Sequence, residues 1–223
     1  MFNLKPAQAK SYRSRIRCYG ALGGLLIAIM TATPMASPVS AQLFNSALDQ
    51  LPAIERDTLR NGNVTVSADG GQFVGRVLID ASTSTAWQVL TDYDNFDQFL
   101  PNVESSQLIE SSGDRYVFEQ VSVVRIFPIT KRVEVTIAAT EQHPQQISFS
   151  MVDGDAKSIQ GSWRIDPVAP YSGATPNQVL VTHQVAIEPE GGALARNLFY
   201  DTYRGVLGDT LAAIQAETEQ RAR

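Results

Sequence analysis

The chain has one cysteine in 223 residues, Cys18, so no intrachain disulfide can form. Two histidines, His143 and His183, are too few for a His-rich metal site. Gly-x-Ser-x-Gly, a Walker phosphate loop, His-Glu-x-x-His and paired-cysteine metal spacing are all missing. Asp153-Gly154-Asp155 is too short for a calcium loop and reads as a hairpin turn. The sequence therefore assigns no catalytic residue, no metal and no cofactor. No repeat, charge block or low-complexity tract follows residue 41. Positive charge is scarce too. Lys5, Lys10, Arg13, Arg15 and Arg17 hold five of the 18 basic residues, and what remains is outweighed by 23 acidic ones. Such a chain repels phosphate backbones, so nucleic acid is not expected as a partner.

What is present begins with an export-like segment. The basic stretch ends at Arg17, the apolar run Ala21–Met30 follows, and a Pro/Ser/Ala-rich stretch closes with Val39-Ser40-Ala41. This order is that of a signal peptide, with cleavage expected after Ala41. The apolar run is much shorter than the roughly 20 residues of a membrane span. An uncleaved anchor is the alternative. The expected organisation is a signal peptide over 1–41, a connector over 42–62, one ligand-binding domain over 63–218 and a tail over 219–223. A mature chain starting at Gln42 contains no thiol, which suits the periplasm or an equivalent oxidising compartment.

Hydrophobic residues make up 43% of the chain and charged residues 18%, which predicts a packed core. Val64-Thr65-Val66 alternates, Asp69-Gly70-Gly71 marks a turn, and Gln72–Asp80 predicts a strand. Ser82 is placed to cap a helix carrying Ala86, Val89 and Leu90, and Pro101 ends the aromatic stretch behind it. From Val103 to Glu188 strand follows strand. Val133, Val135, Ile137 and Ala139 share one face; so do Ile147, Phe149 and Met151. Ile159, Gly161, Trp163 and Ile165 form a third such set, and Val179, Val181, Val185 and Ile187 a fourth. One apolar and one polar face predict an antiparallel sheet covered on a single side. The cover is Ala193–Ala216, whose Phe199, Tyr203, Val206, Leu207, Thr210, Leu211 and Ile214 make a broad helical stripe.

Three stretches carry a family resemblance. Ala81–Pro101 (ASTSTAWQVLTDYDNFDQFLP) resembles the opening motif of the polyketide cyclase/dehydrase and lipid-transport family, part of the START-like (SRPBCC) superfamily. Gly154–Arg164 (GDAKSIQGSWR) resembles the later strand motif of its coenzyme Q-binding branch, although Asp155-Ala156 stands where an apolar pair is expected. Lys131-Arg132-Val133 is similar to that branch's basic entry to a strand. The resemblance covers about residues 64–218 and implies an α+β helix-grip fold: six to seven antiparallel strands around a long C-terminal helix, with two short helices after the first long strand.

The function expected on this basis is binding, transport or presentation of a hydrophobic small molecule, such as a lipid or isoprenoid quinone, between sheet and helix. Phe99, Phe149, Met151, Trp163, Val181, His183, Tyr203 and Leu207 are the candidate ligand-binding residues. Phe96, Leu100, Ile126 and Phe127 belong to two apolar tips, expected to form a gate able to touch a membrane transiently. A cyclase/dehydrase-type enzyme and a protein-interaction module are the alternatives, and a monomer is expected.

His183 shares its strand face with apolar neighbours. It reads as a satisfied core residue, a polar group in a ligand cavity, or a general base. Burial predicts a neutral ring. Glu119 and Arg125 share a parity with Val117, Val121 and Val123, while Tyr116, Phe118, Val124 and Ile126 hold the other, so that strand's inner face is ambiguous. Gly205 and Gly208 inside the long helix suggest either close packing or room for a ligand beneath it.

Overall fold

A computed structural model of the chain describes residues 46–126 and 129–223. The expected signal peptide and its cleavage point lie outside the described residues, as does Phe127. Helix α1 (Ala53–Arg60) precedes strands β1 (Thr65–Asp69) and β2 (Gln72–Ile79). Two short helices follow, α2 (Thr83–Leu90) and α3 (Phe96–Phe99). The strands β3 (Val103–Ser112), β4 (Arg115–Ile126), β5 (Ile129–Gln142), β6 (Gln146–Gly154), β7 (Ala156–Val168) and β8 (Gln178–Pro189) come next, and α4 (Ala193–Arg221) closes the chain.

The eight strands form one sheet in the order β1-β2-β8-β7-β6-β5-β4-β3, each pair antiparallel. That is more than the six to seven expected. The short β1 accounts for the excess: its hairpin turns on Gly70 and Gly71, whose φ angles of 54° and 90° favour glycine. At Gly71 a Cβ would also meet Tyr200 Oη at 2.7 Å. Hairpin connections take the chain from β3 to β7, and β8 returns beside β2.

Ser82 caps α2 as expected, its Oγ accepting from Thr85 N at 3.1 Å. Helix α4 has 29 residues, about 43 Å at 1.5 Å per residue. It runs five residues past the predicted Ala216. Thr218 is fully buried there, and Arg221 bridges Asp92 at 2.8 Å and Glu217 at 2.6 Å. Among the described residues no helix is long and apolar enough to cross a membrane.

The main core lies between the sheet's inner face and α4. Phe73, Val77, Ile79, Ile165, Val181 and Leu211 are among its most buried members. A second, smaller core was not expected. Leu48 and Leu59 pack on Leu78, Val168 and Leu180 on the sheet's other face. The stretch read as a connector therefore covers part of the face expected to be wet. Glu55 holds α1 in place, bonding Arg76 Nη1 at 2.7 Å and Thr65 Oγ1 at 2.9 Å. One long helix gripped by an antiparallel sheet, with two short helices after β2, is the helix-grip arrangement.

Candidate functional site: a cavity between the sheet and the last helix

Burial along α4 is graded. Leu207, Leu211 and Ile214 are buried, whereas Val206, Tyr203 and Phe199 are half-buried and Ala195 is exposed. The helix is thus sealed to the sheet over its C-terminal half; toward its N-terminus it rests on β2 through Tyr200 and Tyr203 against Phe73, while Phe199 and Val206 face a gap. The wedge between helix and sheet is a cavity of about 400 Å³, within the range of small-molecule sites.

Strand alternation supplies its walls. Val133, Val135, Ile137 and Ala139 project inward from β5, Ile147 and Phe149 from β6, and Ile159 and Trp163 from β7. From α4 come Phe199, Tyr203, Val206 and Leu207. Tyr93, Phe96 and Phe118 form an aromatic corner, with Tyr93 stacked on Phe118 at 4.7 Å and Phe96 edge-on to both. On β4, Phe118, Gln120, Ser122 and Val124 line the cavity, joined by Val123 of the other parity beside Asn102, so the inner face is mainly that of Phe118. Arg125 is exposed and donates to Asn102 Oδ1 at 3.1 Å. Glu119 does not line the cavity either.

The charged residues of the wall sit at one end. Lys131 opens β5, Asp155 is in the β6–β7 turn, and Glu190 follows β8; all three are exposed. With Asn102 and Ala195 they mark the mouth. Asp155 is held there by the edge of β5: its N–H donates to Glu134 O at 2.9 Å and its Oδ2 accepts from Glu134 N at 3.1 Å. This gives a structural use to the residue that departs from the quinone-branch motif. Asn102 turns the chain into β3 with φ 65°, and its carbonyl accepts from Val123 N at 2.7 Å.

His183 is the deepest of the β8 residues on the wall, and it is 5% exposed. Its ring stacks on two aromatics, 3.8 Å from Trp163 and 5.6 Å from Phe149 by centroids. Gly161 permits this. A Cβ there would collide with the Gln184 carbonyl oxygen and lie 2.7 Å from the Phe149 ring. His183 Nδ1 is fully buried beside the Ser162 backbone, and no well-formed hydrogen bond reaches it from the described residues. Burial lowers the imidazole pKa to about 3, with a weaker opposing effect from the Ser162 backbone. The ring is therefore neutral at physiological pH.

Tyr93 Oη donates to Glu141 Oε1 at 2.9 Å. Burial, then the neighbouring carboxylate, pushes the phenol pKa well above its ordinary value. Burial also raises Glu141, against the opposing effects of this hydrogen bond and of His143. Burial alone raises Tyr203.

The structure therefore brings Phe149, Trp163, His183, Tyr203 and Leu207 together on the wall, with Phe96 and Leu100 of the expected gate. Three other candidates stand off it. Val181 lies one step below His183 in register with Val77 and Ile165, sealed in the core beneath the cavity floor. Phe99 turns toward the end of α4, under the Arg221 guanidinium at 5.5 Å. Met151 is partly buried against the core but does not reach the wall. For Ile126 only the backbone is described, as the last residue of β4. Tyr93, Phe118 and Phe199 went unassigned, although the first lies in the quoted motif and the last on the helical stripe. The two helix glycines do not border the cavity. Gly205 faces open space, and a Cβ on Gly208 would approach Val64 and Val66 at 3.9–4.0 Å.

The sequence profile described as "Polyketide cyclase / dehydrase and lipid transport" matches residues 79–207. The chain belongs to that family. The match does not single out a coenzyme Q-binding branch. Solved structures agree on the fold. A STAR-related lipid transfer protein from Xanthomonas axonopodis is 21% identical, with TM-score 0.54 over 70% of this chain and 93% of its own. The Zhui aromatase/cyclase of a Streptomyces species is 17% identical, with TM-score 0.55 over 68% and 95%. A Thermus thermophilus protein is 16% identical, with TM-score 0.59 over 68% and 99%. A comparison with curated proteins finds no match. The family's description covers cyclase or dehydrase activity and lipid transport, and the solved structures show the fold.

Proposed function

We propose that the protein binds one hydrophobic small molecule, of lipid or isoprenoid-quinone type, in this cavity and carries or presents it without changing it. The observation that carries the reading is the distribution of polarity. Apolar side chains make most of the wall, charge is confined to the mouth, and the deep end offers a neutral imidazole. Buried apolar area, at about 25 cal/mol per Å², supplies most of the affinity. A cyclase needs an acid and a base that share the substrate. Among the described residues no two titratable side chains of the wall are hydrogen-bonded to each other, and Tyr93 is committed to Glu141 behind the wall. Binding without chemistry is the simpler use of such a lining.

Export of the chain, release after Ala41 and brief contact of the mouth with a membrane complete the proposal. The basic, apolar, small-residue order of 1–41 supports the first two. Exposed Leu194 and Leu198, one turn apart beside the mouth residue Ala195, support the third. N-terminal sequencing of the host's protein tests export: a start near Gln42 agrees, and recovery of Met1 from membranes contradicts it. For the binding site, a neutral fluorophore such as N-phenyl-1-naphthylamine should brighten on entering the cavity and be displaced by a lipid extract. Failure of the fluorophore to bind the folded protein counts against the reading.

A further inference from the structure

The inner face of β4 carries two polar side chains in mid-strand. Gln120 and Ser122 stand between Phe118 and Val124 and line the cavity, with Val135 and Val133 beside them on β5. Gln120 Nε2 donates to Ser122 Oγ at 3.0 Å, and among the described residues neither side chain bonds to anything else. Four other polar side chains of the wall are bonded within the protein: Tyr93 to Glu141, Asn102 to Arg125, Asp155 to the Glu134 backbone and Thr210 to the Val206 carbonyl. In either orientation of the Gln120 amide, the pair keeps an N–H and an acceptor lone pair unused. These atoms are within reach. Among the described residues the one sealed side-chain nitrogen or oxygen without a hydrogen bond is His183 Nδ1. Gln120 Oε1, also without one, therefore touches open space, and the open space beside it is the cavity. We propose that Gln120 and Ser122 form a docking point for a neutral oxygen group, a hydroxyl or keto oxygen, carried part-way along the ligand. This rests on the cavity being a ligand site.

Position and charge define what fits. Val124 pairs with the mouth residue Lys131, and Gln120 lies four residues farther in, about 14 Å along the strand. Phe118 of the aromatic corner is deeper still by two residues. A molecule that reaches the corner therefore passes the pair with its flank, not its tip. A plain hydrocarbon there leaves the amide and the hydroxyl without partners, which is costly, whereas an oxygen at that level satisfies them. A carboxylate or phosphate does not fit. Lys131 is the only cation on the wall among the described residues, and it is exposed at the mouth. The pair's other neighbours, Phe118, Val133 and Val135, are apolar, so an anion held among them loses its hydration uncompensated. The ligand class is thus an uncharged apolar molecule with a hydroxyl or keto oxygen on its flank, rather than a plain hydrocarbon chain.

Displacement of N-phenyl-1-naphthylamine by fluorene, fluoren-9-ol and fluoren-9-one, which share one skeleton, tests this in wild type, Gln120→Met and Ser122→Ala. Methionine keeps the length of the glutamine and removes its hydrogen bonds. The alcohol-to-fluorene affinity ratio should fall about tenfold in Gln120→Met, the scale of one lost hydrogen bond. The ketone-to-fluorene ratio should fall with it, while fluorene itself binds the variant at least as tightly as wild type. Should Gln120→Met not fold, Ser122→Ala decides, with a severalfold fall in the alcohol-to-fluorene ratio. Ratios unchanged in a folded variant, or a bound fluorophore that neither oxygenated molecule displaces from wild type, overturn the docking point and leave the cavity reading standing. Failure of all four molecules to bind wild type overturns both.

Discussion

Trp163 and His183 face each other as register partners across β7 and β8, their rings 3.8 Å apart and tilted by 30°. The pair fixes the imidazole in an apolar stack at the base of the cavity. The resulting neutrality has a consequence for stability. Between the ordinary pKa of 6.5 and the folded value of about 3, the unfolded chain binds a proton that the folded chain refuses. Stability therefore falls as pH drops through this window, by up to about 1.4 kcal/mol per pH unit from this residue. Glu141, raised by burial, acts in the opposite sense just above its ordinary 4.5. Urea unfolding from pH 7 to 5 should show the decline in wild type and a flatter profile in His183→Phe. Parallel profiles contradict a buried neutral ring.

Val206 projects into the cavity from the half-buried part of α4. Val206→Phe should occupy ligand space while leaving the sealed half of the helix untouched. Probe affinity should drop at least tenfold, with a stability change below about 1 kcal/mol. Titration and thermal melts of the same preparation check both.

Gly205 lies on the exposed side of α4 with no atom near a would-be Cβ. Gly205→Ala should stabilise the protein by about 1 kcal/mol through helix propensity and leave binding unchanged. Gly161→Ala should do the reverse, since its Cβ meets the Gln184 carbonyl and the Phe149 ring. Chemical denaturation of the two variants side by side reads the difference.

The outcome at these positions shows what the sequence made legible. Strict alternation on β5 and β8 was enough to place Val133, Val135, Ile137 and Ala139 on the inner face and to bury His183 among apolar neighbours. On β4 the pattern was silent because Val117 and Phe118, on opposite faces, are both buried. Of the two helix glycines, Gly208 fits the close-packing alternative, near Val64 and Val66, and Gly205 fits neither. Gly205 stands two residues from both Tyr203 and Leu207, about 200° round the helix from each, and so lies off the stripe. Phe99 and Tyr93 depended on partners distant in sequence, Arg221 and Glu141, and no local spacing announces those contacts.

Arg221 joins the end of α4 to the α2–α3 connection through Asp92, to its own helix through Glu217, and to the Phe99 ring. Arg221→Met keeps the stem and removes the charge. It should lower stability by about 1 kcal/mol, and the loss should shrink in high salt. An equal loss at low and high salt would assign the effect to packing alone.

The central claim is that the wedge under α4 holds a hydrophobic molecule in the living cell. Native mass spectrometry of protein purified from its own host, beside Val206→Phe prepared the same way, tests it most directly. The account predicts a single apolar molecule bound one-to-one in wild type, released by organic solvent and depleted in the variant. Wild-type protein with no bound mass, or the same bound mass in both, contradicts it.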